Sequence, residues 1–429
     1  MSAADFSVEI DQNEFLPAGA REVNAIVTVT SADSVGGKQP AGAAEIIIVD
    51  CSGSMAAPIT KLIQAREATA AAIHAIRDGV AFAVIAGSNV ATPFYPADGS
   101  LAVASAATRD AAKGQLRRLR ATGGTAIGQW LQLARSLFET RDDGLRHAIL
   151  LTDGRNEHES ADDLTAAIAG CEGVFRCDCR GVGTDWKVDE LRQISTALLG
   201  TVDIVPDPAG LAADFQAMMQ ESMAKQVADV ALQVWTPQHA TIRFVKQVAP
   251  TVEDLTARRT QLTPQKGDYP TGAWGPSESR DYHVCIEVQP GSVGGPEMLA
   301  ARVSLVYTTP DGPHTLGQGN VRAIWTDDEA LSTKISRQVA HYTGQAELAQ
   351  VIQEGLEARS HGDTSAAEDK LGRAVEIANE SGNVDAAGLL SKIVDVDPGT
   401  GVVRLKAKVA DADAMKLDTQ STKTVRVKK

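Results

Sequence analysis

The string Asp50-Cys-Ser52-Gly-Ser54 follows directly on the apolar run AEIIIV, which puts a carboxylate and two hydroxyls in a turn at the end of a strand buried on both faces. Thr125 lies in the glycine-flanked loop RATGGTAIG, residues 120–128, which opens a helix. The apolar run AILLT ends at Asp153, with Gly154 next. Open α/β sheets bind ligands at the carboxyl edge of their strands. If the three loops meet there, two carboxylates and three hydroxyls converge. Hard oxygen donors of this kind suit Mg²⁺, Mn²⁺ or Ca²⁺ and not softer metals. The competing reading makes the same residues a helix N-cap and ordinary turns.

A hydrolase reading takes Ser52 or Ser54 as nucleophile, because both sit on a strand-to-helix turn. The string lacks the GxSxG frame, however, and no histidine follows where a base is needed; His147 falls inside a strand. No GxxxxGK[ST] phosphate loop occurs either. The expectation is therefore a binding protein and not an enzyme.

The elements that must position these residues alternate through residues 44–205 between short apolar runs and segments of helical period, the pattern of a mostly parallel sheet covered by helices. After AEIIIVD, strands are predicted at 80–87, 146–153, 174–182 and 201–205. Helices are predicted near 60–77, 109–120, 126–139, 187–198 and 208–223. Ile127, Leu131, Ala134 and Phe138 recur at steps of three and four and share one stripe. Trp130 and Trp186 read as packing aromatics, Phe94-Tyr-Pro as a strand end, and Glu157 and His158 as loop residues or the rim of the site.

Taken together, the five residues resemble the metal-ion-dependent adhesion site of the von Willebrand factor A (vWA) family, whose form is DxSxS, then Thr, then Asp on successive loops. The resemblance covers about 44–215. It implies that Ser52, Ser54 and Thr125 bind a divalent cation directly or nearly so, with Asp50 and Asp153 coordinating or acting through water. With one or both carboxylates acting only through water, the dication is incompletely screened and keeps a position open for an acidic side chain of a partner.

The flanks differ. Residues 5–33 and 227–325 carry short alternating strands between Gly, Pro and Asp turns, which suggests an antiparallel β-sandwich. The N-terminal strands are expected to pair with the later segment, so that the α/β domain is inserted in the sandwich. The domains read as 1–40 (N-terminal strands), 41–223 (vWA domain), 224–326 (sandwich), 327–397 (helical) and 398–429 (mobile tail). The helical part resembles one tetratricopeptide hairpin through Gly355, Gly362, Ala367, Leu371 and Ala374, turning at His361-Gly-Asp363. A lone hairpin cannot bury its own apolar face, so a third helix at 384–394 or the sandwich must cover it.

Composition narrows the partners. With 43% apolar and 22% charged residues the 429-residue chain is globular throughout most of its length. A net charge of −14 repels nucleic acid and anionic lipid, and the basic run Lys113 to Arg120 reads as a solvated helix face. The N-terminus has no basic and apolar signal pattern, and no run of 18 apolar residues occurs, so a cytoplasmic protein is expected. The five cysteines form no secreted framework; Cys171, Cys177 and Cys179 read as buried strand residues or, alternatively, a metal or redox group.

The order of vWA, sandwich and helical parts is similar to that of bacterial, particularly actinobacterial, vWA proteins associated with Ser/Thr kinases, PP2C-type phosphatases and forkhead-associated proteins in stress signalling. That resemblance implies an intracellular signalling partner. An assembly scaffold or chaperone for a metal-dependent enzyme complex is the alternative. Thr419, Thr422 and Thr424 in the tail are candidate phosphorylation positions. A phosphate there adds about −1.5 to −2 charges for an arginine-bearing forkhead-associated reader; the plainer reading is an unmodified solubilising tail.

Overall fold

The computed structural model describes residues 6–33, 42–141, 144–309, 312–397 and 399–426. The chain forms two compact units: Gln39–Ala228 with Ala410–Thr419, and Met1–Lys38 with Asp229–Val409 and Gln420–Lys429. In chain order the first strands are β1 (Phe6–Gln12), β2 (Phe15–Pro17) and β3 (Glu22–Ser31).

The α/β unit then runs β4 (Ala44–Asp50), α1 (Thr60–Ala75), β5 (Ala81–Gly87), β6 (Ala91–Tyr95), β7 (Ala102–Val103), α2 (Ala106–Gln115), α3 (Ile127–Phe138) and β8 (Arg146–Thr152). It continues through α4 (Ala161–Cys171), β9 (Arg176–Val182), α5 (Val188–Ala197), β10 (Val202–Val205) and α6 (Leu211–Ala224). The sheet order is β10-β9-β8-β4-β5-β6, with β7 also on β5. The first five strands are parallel, while β6 and β7 run antiparallel on β5.

Period-two alternation explains why β4 is apolar along its centre. Ile47 and Val49 face a core with α1, α2 and α6, whereas Ile46 and Ile48 face one with α3, α4 and α5. From β4 the chain moves first to β5 and later to β8 on the other side, so the β4/β8 crevice is the topological switch point.

Both predicted packing tryptophans are buried, and each lies over a glycine at the end of a strand. A Cβ on Gly181 would stand 1.8 Å from the Trp186 ring, and one on Gly87 would stand 2.5 Å from Trp130. Gly181→Ala is thus expected to overpack this face and cost roughly 1–3 kcal/mol in a urea titration. An unchanged midpoint would mean that Trp186 moves freely.

The helix α4 is absent from the sequence-based expectation. Its apolar residues Leu164, Ala167, Ile168 and Cys171 do make a buried stripe, and Ser160 and Asp163 form a capping box at its start. All five cysteines are buried and free. Cys177 and Cys179 place their Sγ atoms 4.0 Å apart, and the neighbouring thiol together with burial holds Cys177 well above the ordinary thiol range.

In the other unit the strands are β11 (Val227–Trp235), β12 (Ala240–Ala249), β13 (Glu253–Asp254), β14 (Thr260–Thr263), β15 (Lys266–Trp274), β16 (Ser279–Val288), β17 (Met298–Thr309) and β18 (Gly312–Thr326). They form sheets β1-β3-β16-β12-β13 and β14-β15-β11-β17-β18-β2. The expected pairing of N-terminal strands with the later segment is present: β3 runs antiparallel between β1 and β16, and β2 pairs parallel with β18. Gly317 and Gly319 let β18 approach Val8 and Ile10 of β1, and Phe6 meets Trp274 edge-on at 5.6 Å, so the two sheets pack face to face.

Helices α7 (Glu329–Ser332), α8 (Arg337–Ser360), α9 (Thr364–Ser381) and α10 (Val384–Ile393) follow. Gly355 lies so close to Leu371 that a Cβ would come within 2.8 Å of it, which is why the expected α8/α9 hairpin closes here. Among the described residues no helix is long and apolar enough to cross a membrane.

The last stretch corrects the expectation of a mobile tail. Strands β19 (Val394–Val396) and β20 (Val403–Leu405) pair, and α11 (Asp411–Gln420) is a helix. Ala412 and Met415 pack against the α/β core, and Arg192 binds the side chain and carbonyl of Asp418. With the buried Leu417, these contacts draw on only three apolar side chains of α11, too few to make a sequence period that stands out. Thr419 is 3% exposed, with its hydroxyl 3.3 Å from Asp203 Oδ1. Thr424 donates its hydroxyl to the Val248 carbonyl at 2.7 Å, and the Thr422 carbonyl accepts from Val252 N–H. The three candidate phosphorylation positions therefore lie in ordered chain, and a phosphate on Thr419 would face a carboxylate. Residues 427–429 lie outside the described residues.

Candidate functional site at the switch point

Asp50 is the last residue of β4, and Asp153 follows directly on the end of β8, so the switch point sets the two carboxylates at one edge. Backbone bonds fasten the three loops together. Gly53 N–H donates to the Gly123 carbonyl, Thr122 N–H to that of Cys51, and His158 N–H to that of Thr125. The start of α3 is held from the third loop: Ile127 N–H donates to Asn156 Oδ1 at 2.8 Å and Gly128 N–H to Glu159 Oε1 at 2.6 Å. A carboxylate at that end satisfies free amides and meets the positive end of the helix dipole.

All five predicted residues come together. Ser52 Oγ and Ser54 Oγ are 2.9 Å apart, and Ser54 donates to Asp153 Oδ1 at 2.6 Å. A Cβ on Gly154 would lie 3.3 Å from both Ser54 Oγ and Thr125 Oγ1 and 4.0 Å from Asp50 Oδ2. The missing side chain at residue 154 thus leaves open the space these oxygens surround. Asp50 Oδ1 accepts from Ser52 N–H at 2.7 Å, and its Oδ2 accepts from the Thr152 hydroxyl at 2.6 Å. Burial pushes the Asp50 carboxyl up to about 6; the Ser52 and Thr152 bonds oppose this, and Asp153 adds to it.

Sequence reasoning missed Thr152, Asn156, Glu159 and Lys61. Lys61, the second residue of α1, is buried and places Nζ 2.7 Å from Asp153 Oδ2. His158 stands on the rim, its Nδ1 accepting from Thr125 N–H at 3.2 Å, and the ring covers Gly124. Outside the oxygens opens a cavity of about 380 Å³ whose lining includes Arg155, Glu157, His158 and Asp185.

These donors fit a small hard dication. Oxygen-only donors of this kind suit Mg²⁺, Mn²⁺ or Ca²⁺ and not softer metals.

A doubly wound sheet carrying this oxygen cluster at its switch point defines a vWA-type domain. The von Willebrand factor type A domain matches residues 46–156, and the von Willebrand factor type A C-terminal domain matches residues 376–421, across α10 and α11. The chain is similar along its length to a solved von Willebrand factor type A protein from the actinobacterium Catenulispora acidiphila. Identity is 52%, coverage 99% of this chain and 97% of that one, and the TM-score 0.95. The chain belongs to the von Willebrand factor type A family.

The ArnB paralog VWA2 from Sulfolobus acidocaldarius shares the fold, with 13% identity, a TM-score of 0.62 and coverage of 97% and 98% of the two chains. A curated relative, uncharacterized protein sll0103 from Synechocystis, is 29% identical over 148 residues, 33% of this chain; the match spans 35% of that protein. Domains of this family are in general metal-dependent protein-interaction modules.

Proposed function

We propose that this chain is a non-catalytic, divalent-cation-dependent binding protein that holds an Asp or Glu side chain of an intracellular partner, with Mg²⁺, Mn²⁺ or Ca²⁺ as the ion. The observation that carries this reading is the cluster of five oxygen-bearing side chains beside Gly154, one of them, Asp50, a buried carboxylate without a cationic partner among the described residues. When bound, the ion supplies a Lewis-acidic position for the partner's carboxylate. Asp50, Ser52, Ser54, Thr125 and Asp153 hold it, Thr152 and the Ser52 amide fix Asp50, and Asn156 and Glu159 fix the loop that brings Thr125.

A serine hydrolase finds less support. Among the described residues no histidine bonds Ser52 or Ser54, whose hydroxyls bond each other and Asp153. The signalling setting, with a Ser/Thr kinase, PP2C phosphatase or forkhead-associated protein as partner, rests on the architecture shared with actinobacterial relatives.

The test is a pull-down from a native-type lysate with and without EDTA, run beside Gly154→Val. Gly154→Val fills the space among the oxygens. It should leave circular dichroism unchanged and abolish the EDTA-sensitive partners. Equal capture by wild type and variant in both buffers would count against the reading.

A further inference from the structure

Lys61 is not required by its helix. It stands in the first turn of α1, where the helix dipole disfavours a cation, yet its side chain is only 10% exposed and its ammonium is 2.7 Å from Asp153 Oδ2. The other Asp153 oxygen already accepts from Ser54. Lys61 is also 3.7 Å from Asp185 Oδ2, a carboxylate 76% exposed at the mouth of the cavity.

The charges inside the site are therefore two carboxylates and one ammonium, a sum of −1. A dication raises the sum to +1, and one carboxylate from outside returns it to zero. Without Lys61 the loaded site would be neutral with no outside ligand. The rim residues Arg155, Glu157 and Asp185 are all exposed and screened by solvent, so they stand outside this sum and change the balance little.

Resting on the reading above, we infer that Lys61 is a positioning residue that makes the ion and the acidic ligand depend on each other. By holding one Asp153 oxygen it weakens the site for the ion alone. By leaving the loaded site with a net positive charge it strengthens the site for ion and carboxylate together. Asp185 gives the ammonium a second seat when Asp153 turns toward the ion. The ligand class that follows is a monoanionic carboxylate, one Asp or Glu side chain, and the partner and the ion are captured in a single coupled event.

Isothermal titration of the full chain with MgCl₂ tests this, at constant ionic strength, in chloride and then in saturating acetate, with free Mg²⁺ held known. Wild type should bind Mg²⁺ about tenfold or more tightly in acetate, and by reciprocity acetate about tenfold more tightly in Mg²⁺. Lys61→Met should bind Mg²⁺ about tenfold more tightly than wild type in chloride and gain little from acetate; Lys61→Arg should keep the wild-type coupling. Wild-type Mg²⁺ affinity that is the same in both anions overturns the inference, whether or not Lys61→Met folds. So does a folded Lys61→Met that binds Mg²⁺ no more tightly than wild type. Wild type that binds no Mg²⁺ in either anion overturns the proposed function as well, so the two failures are told apart.

Discussion

Replacing His147 by alanine is expected to lower the unfolding free energy of the α/β unit by about 3–5 kcal/mol at pH 7, because a buried ion pair loses its middle member. His147 is the second residue of β8, at the strand end away from the site, and lies between two acids. Its Nδ1 is 2.7 Å from Glu45 Oε2 and its Nε2 is 2.9 Å from Asp178 Oδ2. The outer oxygens are also satisfied: Ser222 donates to Glu45 Oε1 at 2.6 Å, and Thr201 donates from backbone and hydroxyl to Asp178 Oδ1. Burial disfavours the charged ring, but Glu45 and Asp178 outweigh it and hold His147 up at about 9. Burial likewise opposes a charged Asp178, yet the His147 bond and charge, with Arg176 and Arg180, keep it far below the usual carboxylate range.

The sign of the pH dependence follows from the raised His147 value. Its contribution is fully present below its unfolded value of 6.5 and is lost as pH rises through about 9. Urea titrations of wild type and His147→Ala should therefore differ most just below pH 6.5, narrow as pH rises and converge above pH 9. A gap as wide at pH 10 as at pH 7 would show that the ring is held by packing and not by charge. Asp178 acts at the other end: its contribution is present above the ordinary carboxylate value and is lost as pH falls below it.

The second large effect concerns Asp50, where function and stability are expected to move in opposite directions. Its folded value, about 6, lies above the ordinary 3.8, so the metal-free unit binds this proton more tightly folded than unfolded. The resulting stability is present in acid and is lost as pH rises through about 6. At pH 7 the buried carboxylate is a burden, and Asp50→Asn should stabilise the metal-free protein by about 1–3 kcal/mol. The same change should weaken divalent binding by about 100-fold or more, since it removes the site carboxylate that has no cationic partner among the described residues. Thermal melts at pH 7.5 with EDTA and with Mg²⁺ read both effects. Asp50→Asn should melt higher in EDTA and show no Mg²⁺-dependent rise; a lower melt in EDTA would mean that Asp50 is a structural anchor and not a strained ligand. Wild-type Mg²⁺ affinity should also fall below pH 6 as protons compete for this oxygen.

The five clustered residues were legible because each stands at a strand end or in a glycine loop, where a period-two pattern stops and a helical one starts. Their partners were not. Lys61 reads as an ordinary helix lysine, and only the fold sets its ammonium on Asp153, 92 residues away. Glu45 sits in a strand that reads as continuously apolar, and its charge is tolerated because His147, 102 residues on, comes beside it. Thr152 reads only as strand, although its hydroxyl fixes Asp50.

The same limit explains the misread segments. A stripe resting on Leu164 and Ile168 amid small residues is faint, so α4 does not stand out in the sequence despite its Ser160/Asp163 box. Ala412, Met415 and Leu417 give α11 too sparse a pattern to stand out, and what orders it is a surface formed by α5 and its neighbours. Short elements that borrow their burial from distant chain are where local pattern carries least information.

The most direct measurement is a crystal structure of the protein soaked in MnCl₂, with anomalous maps at the manganese edge. The account predicts one strong peak among Ser52 Oγ, Ser54 Oγ, Thr125 Oγ1 and the carboxylates of Asp50 and Asp153, with a coordination position facing the cavity. A clean map there at millimolar Mn²⁺, with the serine and threonine hydroxyls still turned toward one another, would contradict it.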